Sequence, residues 1–485
     1  MQRNHTGIVG CLLVASLAFV PQTASGAGAE DATRAALDAQ RSEIEAMKRD
    51  YEARLRALEE RAKAAESRAS GPESPAQEGP EKAGSVETPG TAGRAGGAVP
   101  PETDVSTASP GVQATVSNAY ARLARAFNPK VSAVLQGRLT YLQGGDGGRS
   151  IPGFPLGGET DRGPEGLALG ESELVFNANV DDKLYGFFDV SFDQDEIGIE
   201  EGFLSTLSLP LGLGLKAGQF LSAIGYHNAR HSHTWDFIDP PLVYEAMLGG
   251  DLSEPGVQIT WIAPTDLYVE LGGEILRGDA FPAAGAAYSG FGSATVFAKF
   301  SGDLGDSNSW KAGVSYLRAE SDGRESEGAD GSTVFFDGSS DLVIADFVWK
   351  WSPLGNFRER NFTFQTEYMH RHETGAVTSG AAVGPYRGDQ NGFYAQGVYQ
   401  FMPRWRVGLR YGQVWGDNRQ AGLPPNVLGG DGRSPHRVST MVDFSNSEFS
   451  RLRLQYSFAS GGLGYDSMVY LQYIISIGSH GAYAF

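Results

Sequence analysis

The sequence predicts an all-β fold, a sixteen-stranded antiparallel transmembrane β-barrel preceded by an N-terminal coiled-coil helix and a disordered linker. The C-terminal segment alternates apolar and polar residues and finishes on Phe485, with Tyr483 on the same face. From residue 130 onward, strand-like segments follow one another, and short connections alternate with long ones. Charged residues occupy one face of these segments and apolar residues the other. Such alternation is typical of strands that lie between lipid and a wet lumen.

The first residues have the features of a secretory signal peptide, predicted here as residues 1–26. Arg3 precedes an apolar stretch over 8–20, and small residues follow at 24–27. The single cysteine, Cys11, lies before most of the apolar stretch, which disfavours a lipid-attachment site, and it leaves with the signal. An exported chain without a further apolar segment of about 18 to 20 residues crosses a membrane only as a β-barrel. A soluble periplasmic or secreted all-β protein is the alternative.

Residues 30–69 are predicted to form a periplasmic coiled coil. Apolar residues recur every seven positions, at Leu37, Ile44, Tyr51, Leu58 and Ala65. Such a seam favours self-association, here as a homotrimer, and a single solvated helix is the alternative. Residues 70–128 are rich in Pro, Gly, Ala, Ser, Thr and Glu and predict a disordered linker with a short helix near its end. The barrel is assigned to residues 129–485.

The barrel strands are predicted from period-two alternation and from the turns between them. An even number of strands is expected of a bacterial outer-membrane barrel. Tight turns at 181–182, 210–212, 264–265, 402–403 and 446–447 alternate with long loops at 143–167, 224–253, 278–291, 321–339, 372–390 and 416–435. The sixteen predicted strands are 130–142, 168–180, 183–193, 198–209, 213–223, 254–263, 266–277, 292–303, 309–320, 340–351, 361–371, 391–402, 404–415, 436–446, 449–458 and 468–485.

The predicted inward faces carry charged residues of both signs. The acids come from the earlier strands and the arginines from the later ones, so a field across the lumen is expected. The alternative is that these groups only solvate the interior. The net charge of −19 favours cations over anions and gives no reason to expect a nucleic-acid partner. The predicted pore-lining residues are Glu171, Glu173, Asp189, Glu270, Glu274, Arg406, Arg410, Arg451 and Arg453.

The predicted loop at 224–253 holds three of the eight histidines of the chain, with two aspartates close behind. Imidazoles near carboxylates suit zinc or another borderline divalent ion. The candidate metal residues are His227, His231, His233, Asp236 and Asp239. The alternative is that the histidines form ordinary hydrogen bonds or narrow the pore. No cofactor is required, and zinc is considered as a transported or loop-bound ion.

No serine or cysteine stands in a nucleophile motif beside a histidine and an orienting partner, so the sequence does not indicate an enzyme.

Several segments resemble a proteobacterial family whose members are labelled zinc-regulated, TonB-dependent outer-membrane receptors. The matching segments are 167–174 (LALGESEL), 177–182 (NANVDD), 223–228 (AIGYHN), 231–237 (HSHTWDF), 248–250 (LGG), 261–267 (WIAPTDL) and 277–279 (RGD). The coiled coil followed by sixteen strands is also similar to the architecture of phosphate-selective porins O and P. The resemblance implies an outer-membrane location and a zinc connection through His227, His231 and His233.

Together these features predict a porin-like channel in the outer membrane of a Gram-negative bacterium. Its expected partners are the surrounding lipid and small hydrophilic solutes or ions that enter the channel. Passive passage is expected, with divalent metal, zinc first, as the specific solute. The alternative is a non-conducting barrel that binds or tethers envelope components through its coiled coil.

Overall fold

A computed structural model describes residues 129–143, 151–154, 165–193, 197–285, 290–328, 332–423, 427, 432–463 and 467–478. The predicted signal peptide, coiled coil and linker lie outside the described residues, as do Tyr483 and Phe485. Among the described residues, no helix has the length and apolar character needed to cross a membrane.

The strands form one antiparallel sheet in which almost every strand pairs with its sequence neighbours. In chain order they are β1 (Lys130–Gln143), β2 (Gly166–Leu169), β3 (Ser172–Asn179), β4 (Leu184–Phe192), β5 (Ile197–Thr206), β6 (Leu213–Leu221), β7 (Ser253–Ile262), β8 (Tyr268–Leu276), β9 (Ser293–Leu304), β10 (Asn308–Glu327), β11 (Thr333–Trp351), β12 (Asn361–Ser379), β13 (Ala382–Met402), β14 (Trp405–Gln420), β15 (His436–Ser447), β16 (Ser450–Ser460) and β17 (Ser467–Gly478).

The sheet closes into a ring of sixteen strands, which confirms the predicted fold class. β2 and β3 both pair with β1, so they are two parts of one barrel strand that is interrupted at Gly170 and Glu171. The last strand pairs with the first from Ser132 opposite Gly478 to Gln143 opposite Ser467. Closure pairs the first strand with the last, as a lipid environment requires of a spanning sheet.

Two of the predicted long loops are wrong, because strands continue through them. Residues 321–339 belong mostly to the β10–β11 hairpin, and residues 372–390 to the β12–β13 hairpin, which turns over two residues. Their glycines suggested loops, yet two of them lie where facing backbones approach closely. A Cβ atom at Gly338 would come within 2.3 Å of the Thr374 carbonyl oxygen, and one at Gly375 within 2.1 Å of the Asp337 carbonyl oxygen. Glycine here permits strand pairing.

The extended hairpins are held by a small apolar cluster of their own. It consists of Val334, Phe336, Val377, Tyr386 and Val427. This packing explains why the β10–β13 wall rises well beyond the predicted strand ends. The neighbouring strand β14 also continues to Gln420, inside the predicted loop at 416–435.

The alternation of faces along the strands is confirmed. In β16, Leu454 and Phe458 are each 47% exposed, whereas Arg453 and Gln455 are at most 1% exposed. In β16 the apolar side chains thus point out of the ring and the polar ones into it. This orientation is the reverse of a soluble β-sandwich, whose interior would be apolar. On β11 and β12, by contrast, the inward side chains Leu342, Ile344 and Met369 are apolar and belong to a buried cluster that includes residues of the β6–β7 connection.

The outward face predicts a large effect for a charge placed at mid-strand. Leu454→Arg should lower the free energy of unfolding in lipid vesicles by about 2–4 kcal/mol, because it places a guanidinium in the hydrocarbon region. The measurement is denaturant unfolding followed by tryptophan fluorescence. The control is Leu211→Arg in the β5–β6 turn, where the leucine is 84% exposed. Equal effects for the two variants would contradict a lipid-facing Leu454.

The connection between β6 and β7 folds into the barrel and is called the lumen loop here (residues 222–252). It contains a 3-10 helix (Ser232–Thr234) and a short helix α1 (Leu242–Leu248), all of whose residues are buried. Helix α1 packs against β12, β13 and β14. The two ends of the loop meet, because the Ser222 N–H donates to the Leu252 carbonyl at 2.8 Å.

Candidate functional site

A buried carboxylate on β12 makes several hydrogen bonds to the lumen loop. Glu367 on β12 accepts hydrogen bonds from the backbone N–H groups of Tyr226 and His227, at 3.2 and 2.9 Å. It also accepts one from each of the hydroxyls of Tyr244 and Tyr394, at 2.7 Å. Three of these four donors belong to the loop, and Tyr394 lies on β13, so Glu367 is the principal anchor of the loop.

The wall formed by β14, β15 and β16 holds the loop through arginines. Arg406 pairs with Asp236 at 2.9 Å and Arg410 with Asp239 at 2.6 Å. Arg437 pairs with Asp239 at 3.1 Å and with Glu245 at 2.8 Å. Each of these arginines thus has a loop carboxylate as its partner. We call this group of residues the arginine wall.

Two further arginines of this wall bind loop carbonyl oxygens. Arg451 donates to His233 O at 2.5 Å, and Arg453 donates to Trp235 O at 2.9 Å. Arg453 also pairs with Asp443 on β15 at 2.7 Å. All four predicted pore-lining arginines therefore contact the lumen loop.

Burial alone would raise the pKa of the Asp239 carboxyl, but Arg410 and Arg437 lower this pKa to about 2. Asp239 therefore stays ionised at neutral pH, and its pairs with the two arginines persist. Burial alone would also raise the pKa of Asp236, but the ion pair with Arg406 lowers this pKa below its ordinary value.

The wall formed by β3, β4 and β5 carries carboxylates around His231. His231 Nδ1 lies 3.1 Å from Glu200 Oε1, 3.6 Å from Asp189 Oδ2 and 4.0 Å from Glu173 Oε2. His231 Nε2 lies 3.0 Å from Glu201 Oε2. We call this group of four carboxylates and one imidazole the acidic cluster.

A β-bulge places two consecutive glutamates in the acidic cluster. Asp189 on β4 pairs with Glu201 on β5, but the next residue, Val190, pairs with Ile199. Glu200 is therefore the extra residue, and a bulge re-aims the side chain at such a position. Strict alternation would have sent one of the two glutamates into lipid, so sequence reasoning missed both. The adjacent acidic pair in an alternating strand was the available signal.

Full ionisation of the acidic cluster is electrostatically costly without a cation. Two like charges 4 Å apart repel by on the order of 4 kcal/mol at an effective dielectric constant of 20. Burial alone would lower the pKa of His231, but hydrogen bonds to Glu200 and Glu201 raise this pKa well above its ordinary value. An imidazolium at His231 would offset only part of the negative charge.

The five predicted metal residues do not form one group. His231 lies in the acidic cluster, and His233 Nδ1 lies 2.5 Å from Glu173 Oε1 at its edge. His227 is packed between the rings of Trp235 and Tyr244, at centroid distances of 4.4 and 4.8 Å, and burial lowers its pKa well below the ordinary value. Asp236 and Asp239 belong to the arginine wall instead.

The remaining predicted pore-lining acids lie at three different places. Glu171 stands at the break between β2 and β3 and lines a cavity between the lumen loop and the β1–β17 wall, together with Arg138 and Gln472. Glu274 accepts a hydrogen bond from the Ala223 N–H at 2.8 Å and so anchors the start of the loop. Glu270 accepts one from the Tyr268 hydroxyl at 2.8 Å.

The comparisons with known proteins are as follows. No family model matches the chain. It is similar to an uncharacterized protein of Aquifex aeolicus (strain VF5), at 32% identity over 313 residues that cover 60% of this chain and 63% of that protein. The chain thus spans less than two thirds of the length of that relative.

Three similar solved structures are the outer-membrane channel DcaP of Acinetobacter baumannii, OmpT of Vibrio cholerae in a trimer form, and an anion-selective porin from Comamonas acidovorans. Their identities to this chain are 15%, 11% and 10%, and their TM-scores are 0.46, 0.44 and 0.42. Each match covers 72% of this chain, and 97%, 99% and 99% of the respective structure. Two of these structures are described as a channel and a porin, and the third as an outer-membrane protein. The zinc-regulated, TonB-dependent label is not supported.

Proposed function

We propose that the protein is an outer-membrane porin-like channel for small hydrophilic solutes and ions, with divalent cations such as zinc among them. The observation that carries the proposal is a closed ring with an apolar exterior, a charged interior and a loop folded into that interior. A sixteen-stranded ring is wide enough to leave an aqueous path beside such a loop. The cavity lined by Glu171 and Arg138 would form part of that path.

The preference for cations rests on the unequal charge balance of the two walls. Arg406, Arg410 and Arg437 are paired with loop carboxylates. The acidic cluster has four carboxylates around His231, with His233 at its edge. The unbalanced negative charge would raise the local concentration of cations.

We further propose that three copies associate through the predicted coiled coil at residues 30–69. One of the similar solved structures is described as a trimer form. Light scattering of the detergent-solubilised protein, with and without residues 30–69, would measure the change in mass.

Planar-bilayer recordings test the channel directly. The wild type should give discrete ohmic steps and favour cations over anions. Glu200→Gln/Glu201→Gln should lower the ratio of cation to anion permeability roughly twofold, because it removes negative charge from the lumen. The control is Asp182→Asn/Glu448→Gln, which removes two exposed carboxylates from turns. An equal loss of selectivity in the control would contradict a role for the acidic cluster.

A non-conducting barrel that tethers envelope components is the second candidate. It is favoured by the extent to which the lumen loop fills the interior, since α1 is buried throughout and the loop contacts several walls. Absence of conductance steps from correctly folded protein would favour this function over the channel.

A further inference from the structure

Four potential metal ligands converge in the acidic cluster. Single donor atoms of Glu173, Asp189, Glu200 and His231 all lie within 4.8 Å of one another. The distances from His231 Nδ1 to the three carboxylate oxygens are 3.1, 3.6 and 4.0 Å. Ligands at 2.0–2.2 Å from a tetrahedral ion are separated by about 3.4 Å. The four groups therefore already surround the volume of one ion.

A second observation comes from the hydrogen bonds that these carboxylates lack. Within the part of the chain that the structure describes, neither oxygen of Asp189 has a hydrogen-bond partner, nor does Oε2 of Glu173 or of Glu200. The side chains of Asp189 and Glu173 are 0% exposed. Buried carboxylate oxygens are ordinarily satisfied, so oxygens without a hydrogen-bond partner that lie close to one another are suited to bind a cation.

The orientation of the imidazole also fits a metal ligand. Glu201 Oε2 lies 3.0 Å from His231 Nε2, so with a cation bound it would hold the proton on this nitrogen and leave the Nδ1 lone pair for the ion. Glu201 is itself held, because its Oε1 accepts the Leu221 N–H at 2.9 Å. A carboxylate behind the ligating histidine is the usual outer-shell arrangement at zinc sites.

The ligand types narrow the choice of ion. One imidazole nitrogen with three carboxylate oxygens suits Zn²⁺ or a similar transition-metal dication. Ca²⁺ takes six to eight oxygen ligands, and Mg²⁺ keeps several waters in an octahedral shell. A compact, buried, four-ligand group with a nitrogen donor suits neither of these.

We infer that Glu173, Asp189, Glu200 and His231 bind one transition-metal dication on the lumen wall, with Glu201 as a positioning residue. The site differs from the histidine and aspartate group predicted from the loop, because three of its ligands come from the barrel strands. Such a site would add a specific ion to the proposed function, and only the passage of that ion rests on the proposed channel. Binding itself does not require a conducting channel.

Zinc titration of the full-length, detergent-folded protein by calorimetry tests the site. The wild type should bind one Zn²⁺ per chain. Asp189→Asn and His231→Gln should each weaken binding at least tenfold, and Glu201→Gln should weaken it by about 10- to 100-fold through the orientation of His231. The matched control is Asp346→Asn, which changes a buried lumen carboxylate outside the acidic cluster. This variant should bind zinc with the affinity of the wild type.

Far-UV circular dichroism tests whether each variant is folded. If one of them is not, Glu200→Gln is used in its place. X-ray absorption of the loaded wild type should show nitrogen and oxygen ligands at about 2.0–2.2 Å. Absence of saturable zinc binding, or wild-type affinity in Asp189→Asn and His231→Gln, would overturn the site. Zinc binding without conductance steps would retain the site and reject the channel.

Discussion

Replacing residues 223–251 with a two-glycine turn should raise the single-channel conductance severalfold. The lumen loop occupies much of the interior, and its removal leaves a sixteen-stranded ring with an open lumen. The replacement is geometrically mild, because Ser222 and Leu252 are already joined by a backbone hydrogen bond of 2.8 Å. A two-residue connection is the commonest way to join adjacent antiparallel strands. The measurement is conductance in planar bilayers under symmetrical salt.

The control trims a hairpin that does not enter the lumen. Val377 and Gly384 are register partners near the end of the β12–β13 hairpin, so the same two-glycine turn can join them. This variant should keep the wild-type conductance. If loop replacement left the conductance unchanged while the protein remained folded, the loop would not narrow the path.

Glu367→Ala should release the lumen loop without unfolding the barrel. It removes the acceptor of two backbone N–H groups and of the Tyr244 and Tyr394 hydroxyls. Leaving several buried donors unsatisfied weakens loop docking by on the order of 4 kcal/mol. Trypsin cleavage after Arg230, the one basic residue of the loop besides its histidines, should then become fast. Mass spectrometry of timed digests measures the rate.

The control for this variant is Asp341→Ala. Asp341 accepts hydrogen bonds from the exposed Tyr316 and Arg318 side chains and does not contact the loop in the described structure. Cleavage after Arg230 should stay slow in this variant. Slow cleavage in Glu367→Ala as well would show that Glu367 is not the principal anchor.

The barrel was predictable from sequence because each strand carries its own information. The alternation of apolar and polar residues along β16, such as Leu454 after Arg453, indicates which side of the strand faces lipid. Turn residues such as those at 181–182 and 402–403 mark the strand ends. The number of strands and the closure follow from these local signals, since a spanning sheet must close.

The extended hairpins were missed for a local reason. Glycines are common in loops, but Gly338 and Gly375 lie within paired strands, where the close approach of the facing backbones requires glycine. Composition alone does not distinguish a loop glycine from a glycine at such a contact. The apolar residues Val334 and Phe336 were the available sign that the strand continued.

The candidate site was predictable only in part because its contacts are long-range. The histidines of the lumen loop were identified, but not which wall each would meet. His231 meets carboxylates of β3, β4 and β5, whereas Asp236 and Asp239 meet arginines of β14 and β15. Spacing within the loop carries no information about these partners. The bulge at Glu200 likewise depends on pairing between strands.

The most direct test of the barrel is a nitroxide scan along β16 in lipid vesicles, with cysteines introduced singly into a chain that lacks Cys11. Positions 452, 454, 456 and 458 should be accessible to dissolved oxygen in the lipid, and positions 451, 453, 455 and 457 should not. This period of two follows from the outward apolar and inward polar faces. Uniform accessibility to a water-soluble relaxation agent at all eight positions would contradict a membrane-embedded barrel.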